Sequence, residues 1–186
     1  MRLALALTVT GLAATALAVV PAGPAAAEER TCRGSLGAIT VDNLKVPSGA
    51  TCTLERTTVK GSVTVEGGAA LYASTIRVVG NVQGEGARTV QLRGSTVGGS
   101  VQVKQGQGAA VLNTRIQGDL QYDEMTRLLK ANSNVVGGNI QIVKNFGGVR
   151  VYGNRIDGAL QCKENSPAPT GSGNTASSKE GQCRRL

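Results

Sequence analysis

The chain has 186 residues, 26 of them glycine, with 20 Lys and Arg against 12 Asp and Glu and neither histidine nor tryptophan. Aromatics are 2% of residues and hydrophobics 40%, which excludes a conventional aromatic-rich core and favours stacked Val, Ile, Leu and Ala. Without histidine, Ser/His/Asp or Cys/His nucleophilic catalysis is excluded in its usual form, and a net charge of +8 points to anionic partners.

Met1 to Ala27 has the layout of a secretory signal peptide. Arg2 supplies the positive start, Leu3 to Val20 the apolar run, and Ala25-Ala26-Ala27 a small-residue cleavage site. Pro21, Gly23 and Pro24 cut the run short of the ~20 apolar residues that a membrane span needs. No apolar tail follows the repeats, so no membrane anchor is expected. The chain is expected to be secreted and extracellular. From Glu28 on it is long enough for one domain, with a cap segment over 28–36, repeats over 37–165, and a C-terminal loop and cap over 166–186.

The repeats open on glycine. Gly61-Ser62-Val63-Thr64-Val65, Gly99-Ser100-Val101-Gln102-Val103 and Gly138-Asn139-Ile140-Gln141-Ile142 are close copies, with looser ones at Gly37, Gly80, Gly118 and Gly158. Successive starts lie 24, 19, 19, 19, 20 and 20 residues apart, the signature of a solenoid. Each repeat offers three strand-like segments. The first carries inward pairs from Ile39/Val41 and Val63/Val65 through Val82/Gly84, Val101/Val103, Leu120/Tyr122 and Ile140/Ile142 to Leu160/Cys162. The second carries Cys52/Leu54, Leu71/Ala73, Val90/Leu92, Ala109/Val111, Leu129/Ala131 and Val149/Val151, and the third Val59, Val78, Val97, Ile116, Val136 and Ile156. Residues i and i+2 share a strand face, so one repeat cannot bury its own apolar set, whereas stacked repeats can.

The expected fold is all-β: a single right-handed parallel β-helix of about seven coils. Handedness follows from the preference of parallel crossovers and from the period, which is not a multiple of six. The opening glycines are assigned to corners needing positive φ. Asp123 to Lys130 has helix-forming composition but falls where repeats vary in length, so a short turn is expected. Ser166 to Ser178, rich in Pro, Gly, Ser, Thr and Asn, reads as loop. Cys32, Cys52, Cys162 and Cys183 allow three pairings, and their spacing favours Cys32–Cys52 and Cys162–Cys183, tying both ends of the coil. A metal site is the rival reading, and the wide spacing without histidine argues against it.

With this pattern in place, the chain resembles the right-handed β-helices of the pectate-lyase-like superfamily. It is more closely similar to small, uncharacterised secreted actinobacterial proteins. The segments carrying that likeness are Val46-Pro47-Ser48-Gly49-Ala50-Thr51-Cys52-Thr53-Leu54 and the stretch from Leu160-Gln161-Cys162 to Pro169-Thr170-Gly171. The stacked G-x-V-x-V coils also resemble the polymer-forming bactofilins, which are cytosolic and lack such cysteines. The actinobacterial likeness implies no established activity. The superfamily's pectin-cleaving members imply calcium-binding acidic clusters with an arginine base, or paired aspartates in N-T-D and D-D motifs, and neither motif occurs here.

No catalytic residue, cofactor or resident metal is therefore assigned, and no enzyme activity is expected. Five residues past each glycine, Asp42, Glu66, Glu85 and Asp123 form an outer column interrupted by Lys104. Within it Glu66 and Glu85 are a candidate calcium pair, set against a solvated charged edge. Three past the glycines stand Thr40, Thr64, Gln83, Gln102, Gln121, Gln141 and Gln161, whose five glutamines form a stack of amides able to bond from coil to coil. Four before each glycine stand Thr57, Ile76, Ser95, Thr114, Asn134 and Asn154, whose last four members can stabilise a corner through backbone bonds.

Partner recognition falls to cations. Arg77, Arg115 and Arg155 stand three residues before successive glycines on every second coil, with Arg93, Lys130 and Arg150 on the neighbouring side. Such a row fits an anionic cell-wall or extracellular polymer. Specific nucleic-acid binding adds aromatics for base stacking, in which this chain is poor, so none is expected. The expected function is a secreted, non-catalytic, monomeric β-helix module binding or decorating the cell envelope. The alternatives are a structural protein associating end to end and a degenerate polysaccharide-active enzyme.

Overall fold

Residues with period-2 alternation and no helix signal stack here into three parallel sheets. The computed structural model describes residues 28–186, so the signal peptide expected over Met1 to Ala27 lies outside the described residues. Sheet I has nine strands, from Glu29–Thr31 through Val101–Lys104 to Ser178–Gly181. Sheet II has eight, from Gly34–Leu36 through Gly108–Leu112 to Thr170–Ser172. Sheet III has seven two-residue strands, from Thr40–Val41 to Arg155–Ile156. The chain visits I, II and III in turn, and every pairing is parallel to the strand one turn away, giving a β-solenoid of about eight turns. The turn between Asp123 and Leu129 contains no helix.

The core is the one the repeat pattern specifies. From Val63 to Cys162 the inward positions of sheets I and II, and the single inward residue of sheet III, are buried. In register, Val82 lies between Val63 and Val101, and Val90 between Leu71 and Ala109. Tyr122 is fully buried in this column, and its hydroxyl donates to the Lys130 carbonyl at 2.9 Å. Burial holds that phenol far above its ordinary range, so it stays neutral.

The first coil departs from the expected register. Ile39, expected inward, is 44% exposed, and Val41 belongs to sheet III opposite Val59. The inward pair of sheet I is instead Leu44 and Val46, opposite Val63 and Val65. Thr40 is accordingly absent from the glutamine column, where Lys45 takes its place opposite Thr64. Asp42 likewise leaves the carboxylate column and lies beside Lys60 at a corner. No glycine marks this corner: Asp42 stands in the glycine position, its carbonyl accepting the Gly61 N–H, and Asn43 beside it begins a side-chain ladder, its Oδ1 accepting the Ser62 N–H at 3.0 Å.

The solenoid also outruns the span 37–165 at both ends. Glu29–Thr31 and Gly34–Leu36 pair ahead of it, while Thr170–Ser172 and Ser178–Gly181 lie within the stretch expected as C-terminal loop and cap.

The opening glycines are required for a different reason from the expected one. Gly61, Gly80, Gly99, Gly118, Gly138 and Gly158 do not have positive φ. They stack on one another, Gly80 N donating to Gly61 O at 2.8 Å and Gly99 N to Gly80 O at 2.9 Å. A Cβ on Gly80 would lie 2.7 Å from Gly61 O, so close approach excludes a side chain. Left-handed residues occupy the other two corners. Arg56, Thr75, Gly94, Asn113, Ser133, Gly153 and Gly173 follow sheet II, and Gly86, Gln105, Glu124, Lys144 and Glu164 follow sheet I. Most of these are not glycine. Backbone bonds to the next turn, such as Thr75 N to Arg93 O at 2.9 Å, hold them there.

All three corners carry side-chain ladders. After sheet II, the Asn134, Asn154 and Asn174 side chains bond in series, as the polar column suggests. After sheet I a second ladder runs through Asn145, Asn165 and Gln182. Before sheet I, Asn43, Ser62, Asn81, Ser100, Asp119 and Asn139 each accept a backbone N–H from the next turn.

Both expected disulfides form, Cys32–Cys52 and Cys162–Cys183, and among the described residues no cysteine is free. Closing loops of 20 and 21 residues removes entropy from the unfolded chain, roughly 3 kcal/mol each in the loop-closure treatment. Reduction is expected to open the ends before the middle. Hydrogen exchange should then accelerate first over Thr31 to Leu36 and Ala159 to Gly181, and last over Val101 to Ile116. Earlier exchange in the middle would show that the bridges do not govern fraying.

Candidate functional site: a cationic double face

Parallel pairing converts sequence period into surface columns. On sheet III each strand has one outward residue. The register aligns Thr58, Arg77, Thr96, Arg115, Val135 and Arg155 on successive turns. The three arginines are exposed. Across the corner, sheet II sets Lys130 beside Arg150 in one column and Arg93 between Ser74 and Leu112 in another. The strands of sheets II and III thus hold six cations, Arg77, Arg93, Arg115, Lys130, Arg150 and Arg155, against one carboxylate, Glu55.

That carboxylate lies 3.6 Å from Arg56. The other ion pairs of the described residues flank sheet I: Lys45–Glu66, Lys60–Asp42, Lys144–Glu124 and Lys163–Glu164. None of the six cations has a carboxylate within 4.0 Å. Charge is therefore segregated, balanced on sheet I and positive on II and III. A guanidinium without an internal partner is free to grip carboxylate or phosphate oxygens in pairs.

Sheet II also has relief. A shallow groove of about 320 Å³ runs over Thr53, Tyr72, Gln91, Arg93, Ala110 and Leu112. A second, of about 230 Å³, shares Gln91, Arg93 and Ala110 and ends at Leu128 and Lys130. Tyr72 and Tyr152, 39% and 40% exposed, stand on this sheet. The sparse aromatics of the sequence are thus partly brought onto the basic face, which periodicity alone does not disclose.

The candidate calcium pair is placed differently. Glu66 and Glu85 lie on neighbouring turns and line a groove of about 490 Å³ on sheet I with Gln83, Gln102 and Lys104. Glu66 is already engaged. Lys45 Nζ lies 2.6 Å from its Oε1, and the Ser48 N–H and hydroxyl both donate to Oε2. The Lys45 contact, followed by the Ser48 N–H, lowers the Glu66 carboxyl below the usual range. Among the described residues no three His, Cys, Asp or Glu side chains group as metal ligands.

The glutamine column is continuous in register from Gln83 to Gln161. Its side-chain bonds are local, Gln121 to Gln141 at 3.1 Å and Gln161 to Glu180 at 3.2 Å. It is a polar strip rather than an unbroken amide ladder.

No family model, curated protein or solved structure matches this chain. No helix of the described residues is long and apolar enough to cross a membrane, and the disulfides fit an oxidising compartment.

Proposed function

We propose that the chain is a secreted, non-catalytic β-solenoid module that attaches to an anionic polymer of the cell envelope or extracellular space. The observation that carries this reading is the column of Arg77, Arg115 and Arg155, exposed, in register, and without a carboxylate partner. Isolated surface cations only solubilise, whereas a rigid row on a sheet loses little entropy when a polymer lies along it. The unpaired Arg93, Lys130 and Arg150 across the corner add to the field. The resemblance to secreted actinobacterial proteins and the leader-like Met1 to Ala27 support export, as do the two disulfides.

The test fractionates producing cells into medium and envelope at rising salt, beside a variant with all three arginines replaced by glutamine. The native chain is expected in the envelope fraction at low salt and in the medium at high salt. The variant is expected in the medium throughout, with an unchanged unfolding midpoint because these positions lie outside the core. Each arginine removed should lower the log–log salt slope by roughly one. Retention that survives both the salt and the triple substitution defeats the reading.

A further inference from the structure

We propose that the arginine row selects its polymer by charge spacing, and that the matching class is a polysaccharide with one acidic group on every second sugar. This rests on the polyanion reading above and names its ligand.

The row is a fixed lattice. Arg77 N donates to Thr57 O, Arg115 N to Ser95 O, and Arg155 N to Asn134 O, each at 2.9 to 3.0 Å. The strand positions carrying the side chains are therefore set by the backbone ladder and not by loop conformation. Stacked strands lie ~4.8 Å apart, so arginines on alternate turns stand ~10 Å apart, with ~20 Å from first to last. The intervening positions are Thr96 and Val135, neither of which can pair with an anion as a cation would. The row therefore reads cation, blank, cation, blank, cation.

A pyranose unit is about as long as the spacing between stacked strands. A chain with an acid on every second sugar thus meets an arginine with each charge and a blank with each neutral sugar. A chain charged at every sugar, or a phosphodiester backbone, sets part of its anions over Thr96 and Val135 and reads only total charge. Arginine suits the task because its planar fork pairs with a carboxylate through two parallel bonds, which are sensitive to misplacement.

The experiment moves one charge without changing their number. In the double variant Thr96→Arg with Arg115→Thr, the middle arginine shifts by one turn on the same outward column. Binding of the native chain, this swap and the triple glutamine variant is measured against hyaluronan, polygalacturonate and double-stranded DNA at one ionic strength. The swap is expected to weaken hyaluronan binding about tenfold, the loss of one well-placed paired contact, and to leave binding of the two dense polymers unchanged. The triple variant should lose all three. Equal hyaluronan affinity for native chain and swap, with loss in the triple variant, overturns the spacing inference and leaves polyanion attachment standing. So does a native chain that binds the dense polymers and not hyaluronan. Binding of any polymer unaffected by the triple variant overturns the attachment reading itself.

Discussion

Val101→Asp is expected to abolish folding, while Gln102→Asp, one residue along the same strand, gives a folded protein. Val101 is fully buried and lies in register between Val82 and Leu120, so its side chain meets hydrocarbon from the turn on either side. A carboxylate there has no partner, and burying an ion costs several kcal/mol even after its pKa shifts to neutralise it. A domain of this kind has about 5–15 kcal/mol of stability in total. A solenoid distributes that stability over nearest-neighbour contacts, so damage in the middle weakens both interfaces of one turn. Gln102 points outward beside Gln83 and Gln121 and can shed its amide for a solvated carboxylate. Circular dichroism and a urea titration of the two variants check this. Similar midpoints would mean that the inward and outward faces are assigned the wrong way round.

Most of the core was readable because solenoid stacking turns one repeat's pattern into every repeat's. Once Val63, Val82 and Val101 are aligned, burial follows from alternation alone, and the column from Val59 to Ile156 holds without exception. The first coil escapes the pattern because Asp42 stands where later turns have glycine, and Gly37 offers a false start. The last turn escapes the pattern for a related reason. Thr170–Ser172 contains a glycine and no large apolar residue, so composition says loop, yet it pairs with Val149–Tyr152 through its backbone. Backbone pairing needs no hydrophobic side chain, and sequence pattern detects only the side chains.

The site divides along the same line. The arginine column follows from period and register, and both are sequence properties. Charge segregation depends on which carboxylates find cations, as Glu66 finds Lys45 across a turn. That pairing is a matter of three-dimensional neighbourhood. The closer placement of Lys130 beside Arg150, with Arg93 in a separate column, likewise needed the register of sheet II.

Asn154→Ala is expected to cost about 3–5 kcal/mol, far more than truncating an exposed amide such as Gln102. Asn154 is 1% exposed, and its side chain bonds in three directions. Its Oδ1 accepts both the Asn134 N–H and the Asn134 Nδ2, each at 3.0 Å. Its Nδ2 donates to Ala131 O at 2.6 Å and to Asn174 Oδ1 at 2.8 Å. Alanine removes these at once and leaves the buried Asn134 N–H without its acceptor, a loss of roughly 1–3 kcal/mol for each group stranded. The corner is also where Ser133 and Gly153 adopt positive φ, at 57° and 63°, so the ladder supports backbone that is disfavoured for serine. Loss of Asn154 should therefore propagate along the ladder. Amide exchange should accelerate at Asn134 on one side and at Thr175, whose N–H donates to Asn154 O, on the other. A urea midpoint within experimental error of the native chain would show that the corner is held by the backbone ladder alone and that the asparagines are replaceable filling.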